Sequence, residues 1–178
     1  GIATQIDNFV YYLNVNFSSA FGLLKTILLA YVNFLQGILS FLPWWLLLLL
    51  IIVAGKKLRK SWCQGLVLAF LVSLIGVVGY WQMMNETLAI VLAAVTISLL
   101  LGFPVGILFS IIDDKYFLPV LDAMQTMPTF VYMIPAVMLL GPGKVPAVLA
   151  TVVYAVGPRI RLTSHGLRNV DAAMIEAA

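Results

Sequence analysis

Charge is scarce in this chain, and so are the side chains that do chemistry. Lysine and arginine number ten and aspartate and glutamate seven, together 10% of 178 residues, where an ordinary soluble domain carries about 25%. Hydrophobic residues make up 63% and the mean hydropathy is +1.09. A water-soluble fold of this length cannot hide so much apolar surface, which leaves a polytopic helical membrane protein. The single cysteine, Cys63, excludes an intramolecular disulfide and is read as packing at a span end beside Trp62. The single histidine, His165, stands near Arg161 and Arg168 in a polar segment and reads as a surface or interface residue. With no second histidine and no paired cysteine, no metal site is expected. No glycine-rich phosphate cradle occurs, so ATP is not expected to bind here. The net charge of +3 is small and its basic residues sit at span ends, so no nucleic-acid partner is needed to explain it. Glu86 and Asp122 flank apolar stretches rather than interrupting them, which counts against a proton-coupled carrier.

What the chain has is apolar helix. Residues 1–40 are apolar but interrupted by Asp7, Asn8, Asn14, Asn16, Lys25, Asn33 and Gln36. Phe21, Leu24, Leu28, Tyr31, Val32, Leu35 and Leu39 recur at three and four, one stripe of a helix. This region reads as amphipathic helices lying on the membrane or against other spans, with a spanning helix through 20–42 as the other reading. Five spans are expected beyond it: 39–55, 62–81, 87–112, 124–140 and a shorter 145–157. Trp44, Trp45, Tyr80 and Trp81 suit interfacial belts. Gln82, Asn85 and Glu86 read as a loop, and Asp113-Asp114-Lys115 opens an amphipathic connector.

Orientation follows from the basic residues. With the Lys56–Lys60 run in the cytoplasm and the spans alternating, the inner side holds Lys56, Lys57, Arg59, Lys60, Lys115, Arg159, Arg161 and Arg168, and the outer side only Lys25 and Lys144. That bias is the positive-inside pattern. It places the N-terminus outside and the C-terminal end in the cytoplasm.

The residues left to carry function are those that bend helices and those that offer a face. Gly102, Pro104 and Gly106 in the third span predict a helix kink, and Pro128 and Pro135 a bend in the fourth; close packing is the other use of such residues. Phe130, Tyr132 and Met133 beside Pro128 are candidates to line a path for a cationic or zwitterionic solute, against plain packing. At the end, Val170, Ala173, Met174 and Ala177 form an apolar stripe, with Asp171 and Glu176 off it and Ala178 last. Small residues and a carboxylate on a short amphipathic helix suit a partner's groove; a helix lying on lipid is the alternative.

The block Met127-Pro128-Thr129-Phe130-Val131-Tyr132 within residues 122–140, with Gly143-Lys144-Val145-Pro146, Pro158-Arg159-Ile160-Arg161-Leu162-Thr163 and Asn169-Val170-Asp171 leading to Glu176-Ala177-Ala178, resembles the permeases of bacterial glycine betaine/proline betaine ABC importers. The similarity is clear over 85–178 and general over 40–84. The resemblance implies an all-α type I importer permease fold and a multi-pass protein of the bacterial inner membrane. It implies that two permease copies form the path and that two cytoplasmic ATPases, which carry the ATP and magnesium, drive it. An external binding protein or a fused domain would deliver the solute. Residues 170–178 would begin the helix that docks on the ATPase. This chain would hold no cofactor and catalyse no reaction. The expected organisation is an N-terminal scaffold region over 1–38, two spans over 39–84, and the start of the permease core over 85–178. The chain has no starting Met and stops in mid-helix, so a piece of a longer protein is expected. An ATP-independent carrier or channel is the alternative, with a non-transporting scaffold behind it.

Overall fold

The computed structural model describes residues 2–59, 61–112 and 114–169, and every regular element among them is an α-helix. The order is α1 (Ile2–Asn16), α2 (Ser18–Phe41), α3 (Trp44–Arg59), α4 (Trp62–Val77), α5 (Trp81–Ser110), α6 (Asp114–Thr126), α7 (Phe130–Leu140) and α8 (Lys144–Arg168). The all-helical architecture expected from composition is what the chain adopts. In lipid only structures that close their own backbone hydrogen bonds are viable. The side-chain hydroxyls follow the same rule. Thr26, Thr87, Thr96 and Thr151 each donate to the carbonyl four residues back, at 2.6–2.8 Å.

The chain divides into two compact units, Tyr31–Ile90 and Gly1–Ala30 with Val91–Ala178. In the first, α3 and α4 form a tight hairpin. Gly55 and Gly65 make it possible: a Cβ on Gly55 would lie 2.5 Å from the Cα of Gly65, and one on Gly65 would lie 2.7 Å from the carbonyl oxygen of Ile52. Lys56 crosses the hairpin tip with its ammonium 4.1 Å from the centre of the Trp62 ring. Cys63 is exposed beside it. α4 ends where Gly79 takes φ +90°. The Gly79 N–H reaches the Gly76 carbonyl and the Tyr80 N–H the Ile75 carbonyl, both at 3.0 Å, the doubled bond of a Schellman stop. The turn therefore falls at 78–80, and Gln82, Asn85 and Glu86, expected in a loop, lie in the first turns of α5. Gln and Glu are good helix formers, and the left-handed glycine had already made the turn.

In the second unit α8 is the element the others share. It packs against α6 and α7, while α1 packs against α7. Val145, Pro146, Val148, Ala150, Val152, Gly157, Ile160 and Ser164 are its buried positions. Leu28, Leu140 and Val145 form one small core with Phe21, Leu29, Ile97, Leu139 and Leu149 around it. Phe117, Leu121 and Ile160 form another, with Val105, Phe109 and Val156 against it.

Among the described residues three helices are long and apolar enough to cross a membrane, α2, α5 and α8, and α6 and α7 make a bent pair that counts as a fourth if it is one broken span. In the N-terminal region α2 is one unbroken helix, Ser18–Phe41, of spanning length, which is compatible with both readings of that region. α3 and α4 have 16 residues each, or about 24 Å of helix, short of a ~30 Å hydrocarbon core. α8 does not stop at Pro158 as the polar sequence after it suggested, but runs on to Arg168. The Arg159 side chain donates back to the Ala155 carbonyl at 2.7 Å, folding its guanidinium along the helix.

Candidate translocation and coupling site

The break between α6 and α7 is local in origin. Proline disfavours helical geometry at the residue before it and lacks an N–H of its own, so α6 ends at Thr126 and α7 starts at Phe130, with Met127-Pro128-Thr129 between. The two helices meet at 81°. The break is stitched across by Tyr132, whose hydroxyl donates to the Met124 carbonyl at 2.9 Å. Tyr132→Phe should therefore cost about 1 kcal/mol, the usual worth of one such bond. A lower midpoint of thermal unfolding in detergent, with helix content unchanged, checks it; an unchanged midpoint would mean the bond holds nothing.

Of the expected path residues, Tyr132 and Pro135 come together. They line an apolar groove of about 330 Å³ with Phe21 and Leu24 of α2 and Leu149, Ala150 and Val153 of α8. Pro128 and Phe130 are exposed and Met133 is half-buried, and none of the three lines that groove. The coupling residues Val170, Asp171, Ala173, Met174, Glu176, Ala177 and Ala178 lie outside the described residues.

The kink candidates occupy a helix contact. Gly102 and Gly106 are buried and one turn apart on α5, whose helix continues through Pro104. A Cβ on Gly102 would lie 2.8 Å from the Cβ of Arg159, and one on Gly106 2.5 Å from the Cβ of Thr163 and 3.1 Å from the Ile160 carbonyl oxygen. Small residues four apart let two backbones approach closely in a membrane. Pro104 is exposed on the other side.

Three polar features near this contact escaped sequence reasoning, because each joins residues far apart in the chain. Asp122 of α6 and Arg161 of α8 form an ion pair, with 59% and 42% of their side chains exposed, so it orients more than it stabilises. Gln125 lies over Gly157, where a Cβ would come within 2.8 Å of its Nε2; that nitrogen meets no partner among the described residues. Arg168 reaches back to the end of α5. Its Nε donates to the Ser110 carbonyl and one Nη2 to the Phe109 carbonyl, both at 2.9 Å, and Nη2 also contacts the Ile112 carbonyl. The signal in the sequence was spacing alone: Gln125 stands three residues after Asp122 and Arg168 seven after Arg161, each pair on one helical face. Among the described residues no three His, Cys, Asp or Glu side chains gather as a metal site would need.

Residues 114–178, which hold the broken pair and all of α8, match the family of binding-protein-dependent transport system inner membrane components. Over that stretch the chain is similar to these permeases. It is similar over 99% of its length to the glycine betaine transport system permease protein OpuAB of Bacillus subtilis, at 40% identity, covering 63% of that protein. It is 37% identical, again over 99% of its length, to the glycine betaine/carnitine transport permease protein GbuB of Listeria monocytogenes, covering 64% of it. The glycine betaine/proline betaine transport system permease protein ProW of Escherichia coli is 47% identical over 64% of the chain, which covers 33% of ProW. The chain thus spans less than two thirds of the length of these relatives.

Proposed function

We propose that this chain is the membrane-spanning part of an ATP-driven importer for glycine betaine or a related compatible solute, serving osmoprotection. One observation carries the reading: the similarity to glycine betaine permeases runs through 99% of the chain, including the bent helix pair and the segment that follows α8. Residues 85–178 form the start of the permease core, 39–84 two preceding helices and 1–38 a scaffold. Two copies make the path, two cytoplasmic ATPases drive it with ATP and magnesium, and a binding protein or fused domain delivers the solute from outside.

Tyr132 and Pro135, with Pro128, Phe130 and Met133 beside the break, contribute to the path. Residues 170–178 dock on the ATPase. ATP-driven closure of the ATPases then swings the two permease copies between outward- and inward-facing states as rigid bodies. The positive-inside orientation gains support from the two ends of α8. At the end where Lys144 opens the helix, Lys25 comes within 3.5 Å of where a Gly141 Cβ would be. At the other end Arg168 holds the carbonyl end of α5. Lys25 and Lys144 therefore share a side, and Arg168 lies on the opposite one, as the charge count requires.

The deciding experiment is ATP hydrolysis by the reconstituted complex, with and without glycine betaine and the external binding protein. Stimulation that requires both is expected. Stimulation by a different solute would discard the substrate and keep the architecture. Uptake that survives ATP depletion and collapses with the ion gradient would favour an ATP-independent carrier instead.

A further inference from the structure

We infer that Arg168 is a positioning residue that ties the last turn of α8 to the end of α5, so that the two helices move as one piece when force arrives at the segment after residue 169. The inference rests on the reading of that segment as the ATPase contact.

The geometry begins with an unmet need. The last four carbonyls of a helix have no partner within it, and α5 ends at Ser110 with the chain turning at once into α6. Ile112 N–H satisfies the Phe109 carbonyl only at 3.2 Å. The Arg168 guanidinium fills the gap from 56–59 residues away in sequence, contacting the Phe109, Ser110 and Ile112 carbonyls. A planar fork of five donors can serve several carbonyls at once, where an ammonium cannot hold the same geometry. The positive charge also meets the negative end of the α5 dipole. The same guanidinium carbon lies 5.8 Å from the centre of the Phe117 ring, which stacks on Phe109 at 4.7 Å between centroids. Phe117 is only 5% exposed and Phe109 partly buried, so the fork rests on a buried ring and its half-buried partner.

The position matters as much as the bonds. Arg168 is the last residue of α8. One and two turns further in, on the same pair of helices, Gly106 sits against Thr163 and Gly102 against Arg159. Pulling on α8 without the clamp would open its last turn away from α5. With the clamp, the pull is delivered to the glycine contact, and through α5 to the rest of the core. The Asp122–Arg161 pair adds a tie to α6, but being exposed on both sides it is the weaker one.

Two measurements test this on the full-length permease assembled with its ATPase. The first places spin labels at Ile111→Cys and Leu167→Cys, 85% and 44% exposed, in a Cys63→Ser background in lipid nanodiscs. One narrow distance, the same with and without ATP, is expected; a distance that changes with ATP in the otherwise unaltered protein overturns the inference with no Arg168 variant needed. Arg168→Gln and Arg168→Lys should each broaden that distance, and a distribution that stays narrow in both overturns it as well. The second measures glycine betaine moved per ATP hydrolysed in liposomes. Arg168→Gln should keep ATP hydrolysis and lose about tenfold in solute per ATP, within the range of measured coupling between sites. Arg168→Lys should recover little of it, because charge alone does not restore the fork. A ratio equal to wild type in both variants would refute the coupling role. If the unaltered complex shows no betaine-stimulated hydrolysis, the functional reading fails, and the distance measurement still decides whether Arg168 holds the two ends together.

Discussion

Gly106→Val is expected to abolish uptake and to lower the stability of the permease by about 3 kcal/mol or more, at or beyond the upper end of what overpacking costs. The added Cβ alone would stand 2.5 Å from the Cβ of Thr163 and 3.1 Å from the Ile160 carbonyl oxygen. Neither neighbour can yield cheaply. Thr163 is β-branched and stiff at its first torsion, and the carbonyl belongs to the backbone of a helix packed on its other faces by α6 and α7. The helices must separate, and the contact between α5 and α8 is lost along its length. Gly166→Ala, on α8 itself, is the matched control: nothing lies within 4 Å of its Cβ position, so removing a helical glycine there should gain about 0.5–1 kcal/mol. Thermal unfolding in detergent and uptake in vesicles read both. Near-equal midpoints for the two variants would mean that the α5–α8 approach is not what holds this unit.

The second large effect lies in the segment beyond α8. If residues 170–178 enter a groove on the ATPase, Ala173→Trp puts a bulky ring on the small-residue stripe, and Glu176→Lys reverses the charge near the segment's end. Each should weaken co-purification with the ATPase by about 2 kcal/mol or more, roughly thirtyfold, as a buried interface anchor does. Uptake should fall accordingly, while the amount of permease in the membrane stays at the wild-type level. Full ATPase retention with wild-type uptake in both variants would show that the segment does not make the contact. The two predictions separate cleanly: the glycine acts on the folded permease, and the segment acts on its partner.

How much of this was readable in the chain differs from element to element, for physical reasons. Apolar runs and belts of Trp and Tyr announce α4 and α5, and the proline at 128 announces the break between α6 and α7, because local chain chemistry decides those features. The extent of α8 was not readable. Its last ten residues are mostly polar and follow Pro158, which usually signals an end, yet packing against α5 and α6 carries the helix on. Likewise Gly102 and Gly106 read as a kink or as close packing with nothing to decide between them, and they sit where a second helix arrives, since a sequence shows that a side chain is missing but not what occupies its place. Tertiary polar ties were the least legible. Asp122 and Arg161 are 39 residues apart and Arg168 and Ser110 are 58 apart, and no periodicity links them.

The close approach of Gly55 and Gly65 bears on how the chain is made. Their backbones touch across ten residues of sequence, and so short a loop closes quickly and at small entropic cost. Everything needed to form the α3–α4 hairpin has been synthesised by the time Val77 is added, well before any residue of α6, α7 or α8 exists. Each helix alone is a poor membrane segment of 16 residues. Paired, they bury their two glycine faces in each other and keep Lys56 and Lys57 together at one surface. The hairpin is thus suited to enter the bilayer as a single wedge, with its charged tip held back at the surface.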